Sequence, residues 1–156
     1  MAKQHHYQTN LEWTGNKGKG TLNYRSYDRN HTIKVAGKPD LLGSSDPSFR
    51  GDPTCYNPEE LLVASLSSCH MLWFLHLCSE AGIIVVDYQD KASGTMQERK
   101  DGSGIFESVT LYPRVTITEE SKMELAQSLH QQAHRMCFIA NSCNFPVKHE
   151  PSCQIA

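Results

Sequence analysis

Two of the six cysteines in this chain of 156 residues lie where a thiol could act as a redox reagent. Cys69 lies inside the apolar run NPEELLVASLSSCHMLWFL at residues 57–75, and Cys137 closely follows a second segment with a helical pattern. If both segments are helices that pack together, the sulfurs can reach the Cα separation of roughly 5.5–6 Å that a disulfide requires. Ser65 and Ser68 would leave room for a substrate beside Cys69. Free cysteine is also a common core residue, so an inert buried thiol is the alternative.

A reactive thiol needs a nearby cation, because an ordinary cysteine with a pKa of about 8.5 is only a few per cent thiolate at pH 7. Cys69 lies ten residues beyond Glu59 in the predicted helix. At about 15 Å from the N-terminus it is too far for the helix dipole to act. An arginine must supply the charge, and the candidates are Arg50 in the preceding loop and Arg25 or Arg29 in the first sheet. Glu59 is placed to pair with Arg50, although such pairs are more often modest surface salt bridges.

Histidines suggest a rival chemistry. His130 and His134 are four residues apart, hence on one helical face, and Cys137 follows them, so zinc binding is a further hypothesis. The chain has no CxxC pair, and no other ligand is obviously supplied. His70 points about 100° away from Cys69 on a helix, which predicts a core or interface histidine rather than a catalytic base. We therefore predict neither a metal nor a cofactor.

Composition excludes several classes of protein. A net charge of −2 gives no electrostatic case for binding nucleic acid or an anionic membrane. The N-terminus, MAKQHHYQTN, lacks the apolar region of a signal peptide. The longest apolar stretch, 61–77, is interrupted by serines and histidines, and we expect no transmembrane helix. The sequence thus predicts a cytoplasmic protein with reduced thiols, in which a cysteine pair that oxidises is catalytic or redox-sensing rather than structural.

The elements that must position these residues begin with a small antiparallel sheet. Weak alternation and β-forming residues predict three strands, with the turn NKGKG between the first two. These strands are expected at residues 7–15, 20–27 and 31–37. A long loop over 37–56, rich in proline and glycine, follows them, and loops of that length are usually functional or disordered.

A long helix is the clearest expectation. Asn57 is a good N-cap, Pro58 fits the first helical position, and Gly82 suits the left-handed residue after the end. The helix would have about 24 residues and be apolar on most faces. A sheet or a partner subunit should therefore enclose it.

The second half of the chain predicts a second sheet and a second helix. β-branched runs flank the turn DGSG within residues 83–117. Thr118 then caps a helix over about 119–135, a short turn or helix follows, and residues 144–150 form the last strand. The result is an α+β fold in a single domain over 1–156.

The segment NPEELLVASLSSCHM, followed by a long gap and AHRMCFIANS, resembles the OsmC/Ohr family, and within it the OsmC-like subgroup. This family comprises osmotically inducible protein C and the organic hydroperoxide resistance proteins. The likeness covers about residues 7–150 and includes WTG, FRGDPTCYNPEEL, and the GxF and VTLYPRV of the second sheet. The spacing of NPE and the helix cysteine is specific. The resemblance implies two antiparallel sheets, a long central helix and a second helix, in an intertwined homodimer with active sites at the subunit interface.

The resemblance also implies residue roles. It suggests a thiol-dependent peroxidase that reduces organic hydroperoxides and, in some cases, hydrogen peroxide. Cys69 matches the peroxidatic cysteine and Cys137 the resolving cysteine. Glu59 matches the glutamate that orients the active-site arginine. Arg50 lies where the OsmC subgroup carries that arginine, and Arg29 is the substitute from the first sheet.

Three points stay open in the sequence. Many family members have Cys-Pro after the second helix, whereas Cys137 is followed here by Phe138, and Cys143 is another candidate resolving thiol. The resemblance suggests a dithiol reductant such as a lipoylated protein, which the sequence does not show. Aromatic residues could form an apolar pocket for an organic tail, or could be core; the candidates are Trp13, Phe49, Trp73 and Phe138. A second hypothesis is a non-catalytic redox-sensing or ligand-binding protein on the same fold.

Overall fold

The computed structural model describes residues 3–156 and confirms the α+β class with two helices. The chain separates into two compact units, residues 3–61 and residues 62–156. The single domain over 1–156 stays a prediction, and its first two residues lie outside the described part of the chain.

The first unit contains a three-stranded antiparallel sheet in the order β1-β2-β3. Its strands are β1 (Asn10–Trp13), β2 (His31–Lys34) and β3 (Leu41–Gly43). β3 and a 3-10 turn at Pro47–Phe49 occupy the segment expected to be one long loop. Short polar strands and local turns thus organise the chain before the long helix.

The strand expected over residues 20–27 is wrong, because polar side chains fold this segment into turns. The Asn23 side-chain oxygen accepts a hydrogen bond from the backbone of Arg25 at 2.9 Å. The Ser26 hydroxyl donates to the carbonyl of Gly20, also at 2.9 Å. Such local bonds give the backbone an alternative to a sheet ladder.

Helix α1 (Pro58–Glu80) confirms the predicted boundaries. The Asn57 side-chain oxygen accepts from the Glu60 N–H at 2.8 Å, and the Glu60 carboxylate accepts from the Asn57 N–H at 3.1 Å. These two bonds form a reciprocal capping box that satisfies backbone donors at the helix start. Beyond the other end, Gly82 has a φ of +67°, the left-handed conformation that favours glycine.

The second unit holds two mixed sheets, ordered β4-β7-β9 and β5-β6-β8. The strands are β4 (Val85–Asp90), β5 (Ser93–Glu98), β6 (Gly104–Leu111), β7 (Pro113–Ile117), β8 (Val147–His149) and β9 (Ser152–Ile155). The predicted turn DGSG joins β5 and β6. One antiparallel sheet was expected here, but the strands form two sheets, and β8 and β9 join β6 and β7 in parallel. The chain can add them in parallel because a long connection that includes the second helix precedes them.

Helix α2 (Met123–Met136) starts later than predicted, after a 3-10 turn at Glu120–Lys122. The proposed cap at Thr118 is wrong, since no side chain caps either element. Small and apolar residues of α2 pack with α1, β7 and the segment after α1 in one buried cluster. Its members are Phe74, Cys78, Ile83, Val115, Ile117, Ala126, Leu129 and Ala133.

By length and composition alone, α1 could cross a membrane, with a mean hydropathy of 1.6 over its most apolar window. The expectation that no stretch of the chain reaches that length was therefore wrong. A core helix passes the same test, and Leu66, Phe74 and Cys78 are fully buried in the second unit. Of its most apolar window, 22% is buried.

Candidate active site

Cys69 is half-buried and opens into a groove of about 520 Å³ in the second unit. We call it the Cys69 groove; its lining consists of Ser65, Ser68, Cys69, Leu72, Trp73, His76, Phe138 and Ile139. The inert core thiol of the alternative interpretation would be closed off, whereas this thiol borders a space the size of a small-molecule site. The fully buried residue is the neighbouring His70, as the helical spacing predicted.

Aromatic and aliphatic side chains form most of the groove wall. The Trp73 and Phe138 rings meet edge to face with their centroids 5.6 Å apart, and Phe138 is 64% exposed. The serine hydroxyls are turned toward their own helix: Ser65 donates to the Leu62 carbonyl at 2.7 Å and Ser68 to the Ser65 carbonyl at 3.2 Å. The groove therefore offers apolar contact more than hydrogen bonding.

Cys137 lies at the C-terminal end of α2 and is fully buried. Burial, and after it a hydrogen bond with the Cys69 thiol, raise the pKa of the Cys137 thiol to about 11. The backbone N–H of Ala140 donates to the Cys137 sulfur at 3.4 Å and partly offsets that shift. The structure thus brings together the two thiols predicted to react, both in reduced form.

Cys143 lies in a different environment. Its thiol donates to the carbonyl of Ile139 at 3.3 Å and packs beside the buried cluster of Leu66, Val109 and Leu111. Burial raises the pKa of Cys143 as well. Cys69 is hydrogen-bonded to Cys137, whereas burial alone shifts the pKa of Cys143, so the geometry favours Cys137 as the partner of Cys69.

The predicted charged residues all belong to the first unit. The Arg29 guanidinium lies over the rings of Tyr24 and Tyr27, at 4.2 and 4.3 Å, and donates to both of their carbonyls. Arg50 has a φ of +64° and is the one non-glycine residue with positive φ among residues 3–156. No ion pair joins Arg50 to Glu59, so that expected pair is absent within this unit. Their roles toward Cys69 stay predictions.

Sequence reasoning missed a cluster of four histidines behind the site. His70 Nε2 and His130 Nδ1 are 3.0 Å apart, and the His149 ring approaches those of His70 and His134 at 5.5 and 5.2 Å. The spacing of His130 and His134 drew attention to two of the four histidines. His149 comes from β8, and no local sequence signal predicts the parallel pairing that places this strand.

The zinc hypothesis for His130, His134 and Cys137 finds no support in this geometry. Within residues 3–156, no group of three or more His, Cys, Asp or Glu side chains is arranged to hold a metal ion. The His130 ring is instead stacked on Phe74 and hydrogen-bonded to His70.

A protein family and several solved structures match this chain over most of its length. The profile of the family described as OsmC-like protein matches residues 51–152. An OsmC-like protein of unknown function from Vibrio cholerae is 30% identical, with a TM-score of 0.85 over 96% of this chain and 100% of that chain. An organic hydroperoxide resistance protein from Elizabethkingia anophelis is 22% identical, with a TM-score of 0.70 over 97% and 100%. One from Legionella pneumophila is 18% identical, with a TM-score of 0.64 over 97% and 99%. No curated protein matches the chain.

Proposed function

Since the chain belongs to the OsmC-like family, we propose that it is a thiol-dependent peroxidase that reduces organic hydroperoxides through Cys69 and Cys137. The observation that carries the proposal is the placement of one thiol in an apolar groove, in contact with a second thiol that is fully buried. Two solved structures with the same fold are named organic hydroperoxide resistance proteins. Their low identity supports the fold, so the activity of this chain rests on its own site.

The proposed reaction has three steps. The Cys69 thiolate attacks the terminal peroxide oxygen, so that an S–O bond forms, the O–O bond breaks and the alkoxide takes up a proton and leaves as an alcohol. The sulfenic acid of Cys69 then condenses with the Cys137 thiol, which forms the disulfide and releases water. A dithiol reductant restores both thiols by exchange and is itself oxidised to a disulfide.

The different environments of the two thiols suit these two roles. With a pKa of about 11, Cys137 stays protonated at neutral pH and reacts poorly with peroxide. Cys137 therefore remains a thiol beside Cys69 until the sulfenic acid of Cys69 forms. Its contact with Cys69 means that the condensation needs little movement of the chain.

The shape of the Cys69 groove supports an organic substrate. A water molecule occupies about 30 Å³ in the liquid, so hydrogen peroxide would fill only a small part of a groove of about 520 Å³. An apolar tail attached to the peroxide would displace water from Leu72, Trp73, Phe138 and Ile139. Burying that apolar surface gives roughly 25 cal/mol for each Å².

An arginine must still favour the Cys69 thiolate, and the proposal assigns this role to Arg50 or Arg29, oriented by Glu59. Arg50 is the better candidate because the Arg29 guanidinium already donates to the carbonyls of Tyr24 and Tyr27. The left-handed backbone of Arg50 costs about 1–3 kcal/mol, and such strain is concentrated at functional sites. The proposal also includes a homodimer, a lipoylated protein as reductant and a cytoplasmic location.

Peroxide consumption with excess dihydrolipoamide tests the function. Wild type, Cys69→Ser and Cys55→Ser would each be given cumene hydroperoxide and, separately, hydrogen peroxide. Cys55 belongs to the first unit and has no step in the scheme, so its variant controls for the loss of a thiol. We expect turnover in wild type and Cys55→Ser, faster with cumene hydroperoxide, and none in Cys69→Ser. Equal slow rates in all three would favour the redox-sensing or ligand-binding alternative.

A further inference from the structure

A pair of buried histidines, His70 and His130, links α1 to α2, the two helices that carry the thiols. The His70 and His130 ring planes lie within 7° of each other, with their nitrogens at 3.0 Å, and each side chain is 1% exposed. Phe74 stacks on His130 with the ring centroids 3.9 Å apart. The other ring nitrogens, His70 Nδ1 and His130 Nε2, are buried and have no partner among the described residues. The hydrogen bond between the rings is thus a polar link within an apolar interface.

The position of this link in the two helices ties it to the thiols. His70 directly follows Cys69 on α1, and His130 precedes Cys137 by seven residues, or about 10 Å along α2. We propose that the His70–His130 pair is an acid-sensitive clamp that positions Cys137 against Cys69, so that disulfide formation weakens when the pair takes up protons. The inference rests on the proposed roles of the two cysteines, and it concerns what holds them in place.

The hydrogen bond requires at least one neutral ring, because a neutral imidazole has one donor and one acceptor nitrogen whereas an imidazolium has two donors. Two imidazolium rings cannot bond at this contact and would repel each other. Burial lowers the pKa of His70 to about 4 and that of His130 to about 3. Both rings are therefore neutral in the closed structure at neutral pH.

The ionisable groups that face the pair offer no negative charge to an added proton. They are His134 on α2 and His149 on β8, and charge repulsion from each contributes, after burial, to the lowered pKa of at least one ring of the pair. Beyond Phe74 lies Tyr88 of β4, whose hydroxyl is buried and whose pKa burial raises, so it stays neutral. In the described chain, no carboxylate contributes to the pKa of either ring.

The direction of the pH effect follows from these shifts. In an open form the rings regain a pKa of about 6.5 and take up protons below that pH, whereas the closed form does not until about pH 4. The closed form therefore loses stability as the pH falls from 6.5 to 4, and its stability is fully present above 6.5. For each ring that takes up a proton on opening, the equilibrium constant for opening rises by up to about tenfold for each unit that the pH falls within this range.

Oxidation by diamide tests the clamp without peroxide chemistry, since diamide takes two electrons and two protons from a pair of thiols to give a disulfide and a hydrazine. The Cys69–Cys137 disulfide would be followed by peptide mass spectrometry between pH 7.5 and 5.0 in wild type and in His70→Leu/His130→Phe. The variant keeps apolar bulk and loses both titrating rings. His6→Gln, an exposed histidine, is the control.

The ratio of wild-type to double-variant rate at each pH reports the clamp. We expect this ratio to fall at least tenfold between pH 7 and pH 5, with His6→Gln following wild type. A constant ratio would overturn the inference. Diamide oxidation with the expected pH dependence, but without peroxide turnover at pH 7, would contradict the proposed function and leave the clamp standing.

Histidine titration by NMR in wild type keeps the clamp testable if the double variant does not fold. We expect His70 and His130 to show no titration near pH 6.5, and the thermal midpoint to fall between pH 6.5 and 4.5. Either ring titrating near 6.5 while the thermal midpoint stays constant would show that the pair accepts protons without opening. That outcome would equally overturn the inference.

Discussion

At the scale of single residues, the two thiols of the proposed site differ in burial, since Cys137 is fully buried and Cys69 is half-buried. Cys137 is fully buried against Cys69, while Cys143, six residues later, is bonded to the carbonyl of Ile139 in another cluster. Cys137 and Cys143 carry the same chemical group. They differ in whether their sulfur lies close to that of Cys69. A disulfide needs a short Cα separation, so position rather than reactivity determines the resolving residue.

Replacing each candidate resolving thiol in turn tests this assignment. We expect Cys137→Ser to lose multiple turnover by about two orders of magnitude or more, because the intramolecular thiol is replaced by reductant from solution. Cys143→Ser should turn over at close to the wild-type rate. Peroxide consumption would be measured together with dimedone capture, which should label Cys69 sulfenic acid only in Cys137→Ser. Loss of turnover in Cys143→Ser alone would reverse the assignment.

Phe138 offers a second test at this scale, because it is exposed and contributes apolar surface beside Trp73. Phe138→Ala should lower kcat/KM for cumene hydroperoxide by about tenfold, as burying part of an aromatic ring stabilises a complex by about 1–2 kcal/mol. Hydrogen peroxide has no tail, so its kcat/KM should stay unchanged. Phe138→Leu, which keeps apolar bulk, is the matched control. An equal loss with both peroxides would indicate damage to Cys137 rather than to a tail site.

The chemistry of single residues could be predicted only where it depended on local sequence. Cys69 was a candidate because its helix is strongly marked and its serine neighbours leave space, and its proposed role came from the family resemblance. The preference for Cys137 over Cys143 depends on how the chain turns after α2, which residue types do not specify. His149 reaches His70 through a strand far away in sequence, so nothing near either residue indicates their contact.

At the scale of secondary structure, α1 carries Cys69 and depends on how its first turn is capped. The side chains of Asn57 and Glu60 each accept the other's backbone N–H. Asn57→Ala should lower the free energy of unfolding by about 1 kcal/mol, because the backbone N–H of Glu60 loses its partner. Urea unfolding followed by circular dichroism measures the change.

Asn57→Asp is the matched control, since a carboxylate oxygen also caps and adds favourable charge at the helix start. Its free energy of unfolding should equal or exceed that of wild type. A similar loss in both variants would mean that Asn57 acts through its amide nitrogen rather than as a cap. No change in Asn57→Ala would mean that the first turn frays without cost.

Elements whose ends are marked by capping or turn residues could be predicted. Elements that depend on partners distant in sequence could not. The cap at Asn57, Gly82 and the turn DGSG each fix a boundary through local geometry, and all three were confirmed. The short strands β3 and β9 exist because neighbouring strands supply hydrogen-bond partners, and their own residues give little sign of it. Residues 20–27 have strand-forming types, but Asn23 and Ser26 satisfy the backbone locally.

At the scale of the whole molecule, the second unit exposes more large apolar side chains than a surface in water favours. Leu72 on α1 is 62% exposed, and Ile84 and Val86, which flank the buried side of β4, are 58% and 55% exposed. Exposed apolar side chains such as these would gain by burial in an interface. Their exposure agrees with the proposed homodimer, in which a second copy of the chain would cover such surface.

A dimer that unfolds to two separate chains makes stability depend on protein concentration. We expect each tenfold increase in concentration to raise the apparent free energy of unfolding by about 1.4 kcal/mol per dimer, because dissociation then costs more. Urea midpoints would be measured over at least two decades of concentration, with light scattering to give the mass at each. A mass of one chain and a constant midpoint would contradict the dimer.

Peroxide turnover over the same dilution series then decides whether the dimer matters for the site. If an arginine or Glu59 of the second copy helps to activate Cys69, turnover per chain should fall as dimers dissociate, and adding a Cys69→Ser chain in excess should restore part of it. That variant cannot react, but it still carries Arg50, Arg29 and Glu59. Turnover per chain that stays constant through dissociation would mean that one chain activates its own thiol. Restoration that disappears when the added chain also carries Arg50→Ala would identify Arg50 as the residue supplied in trans.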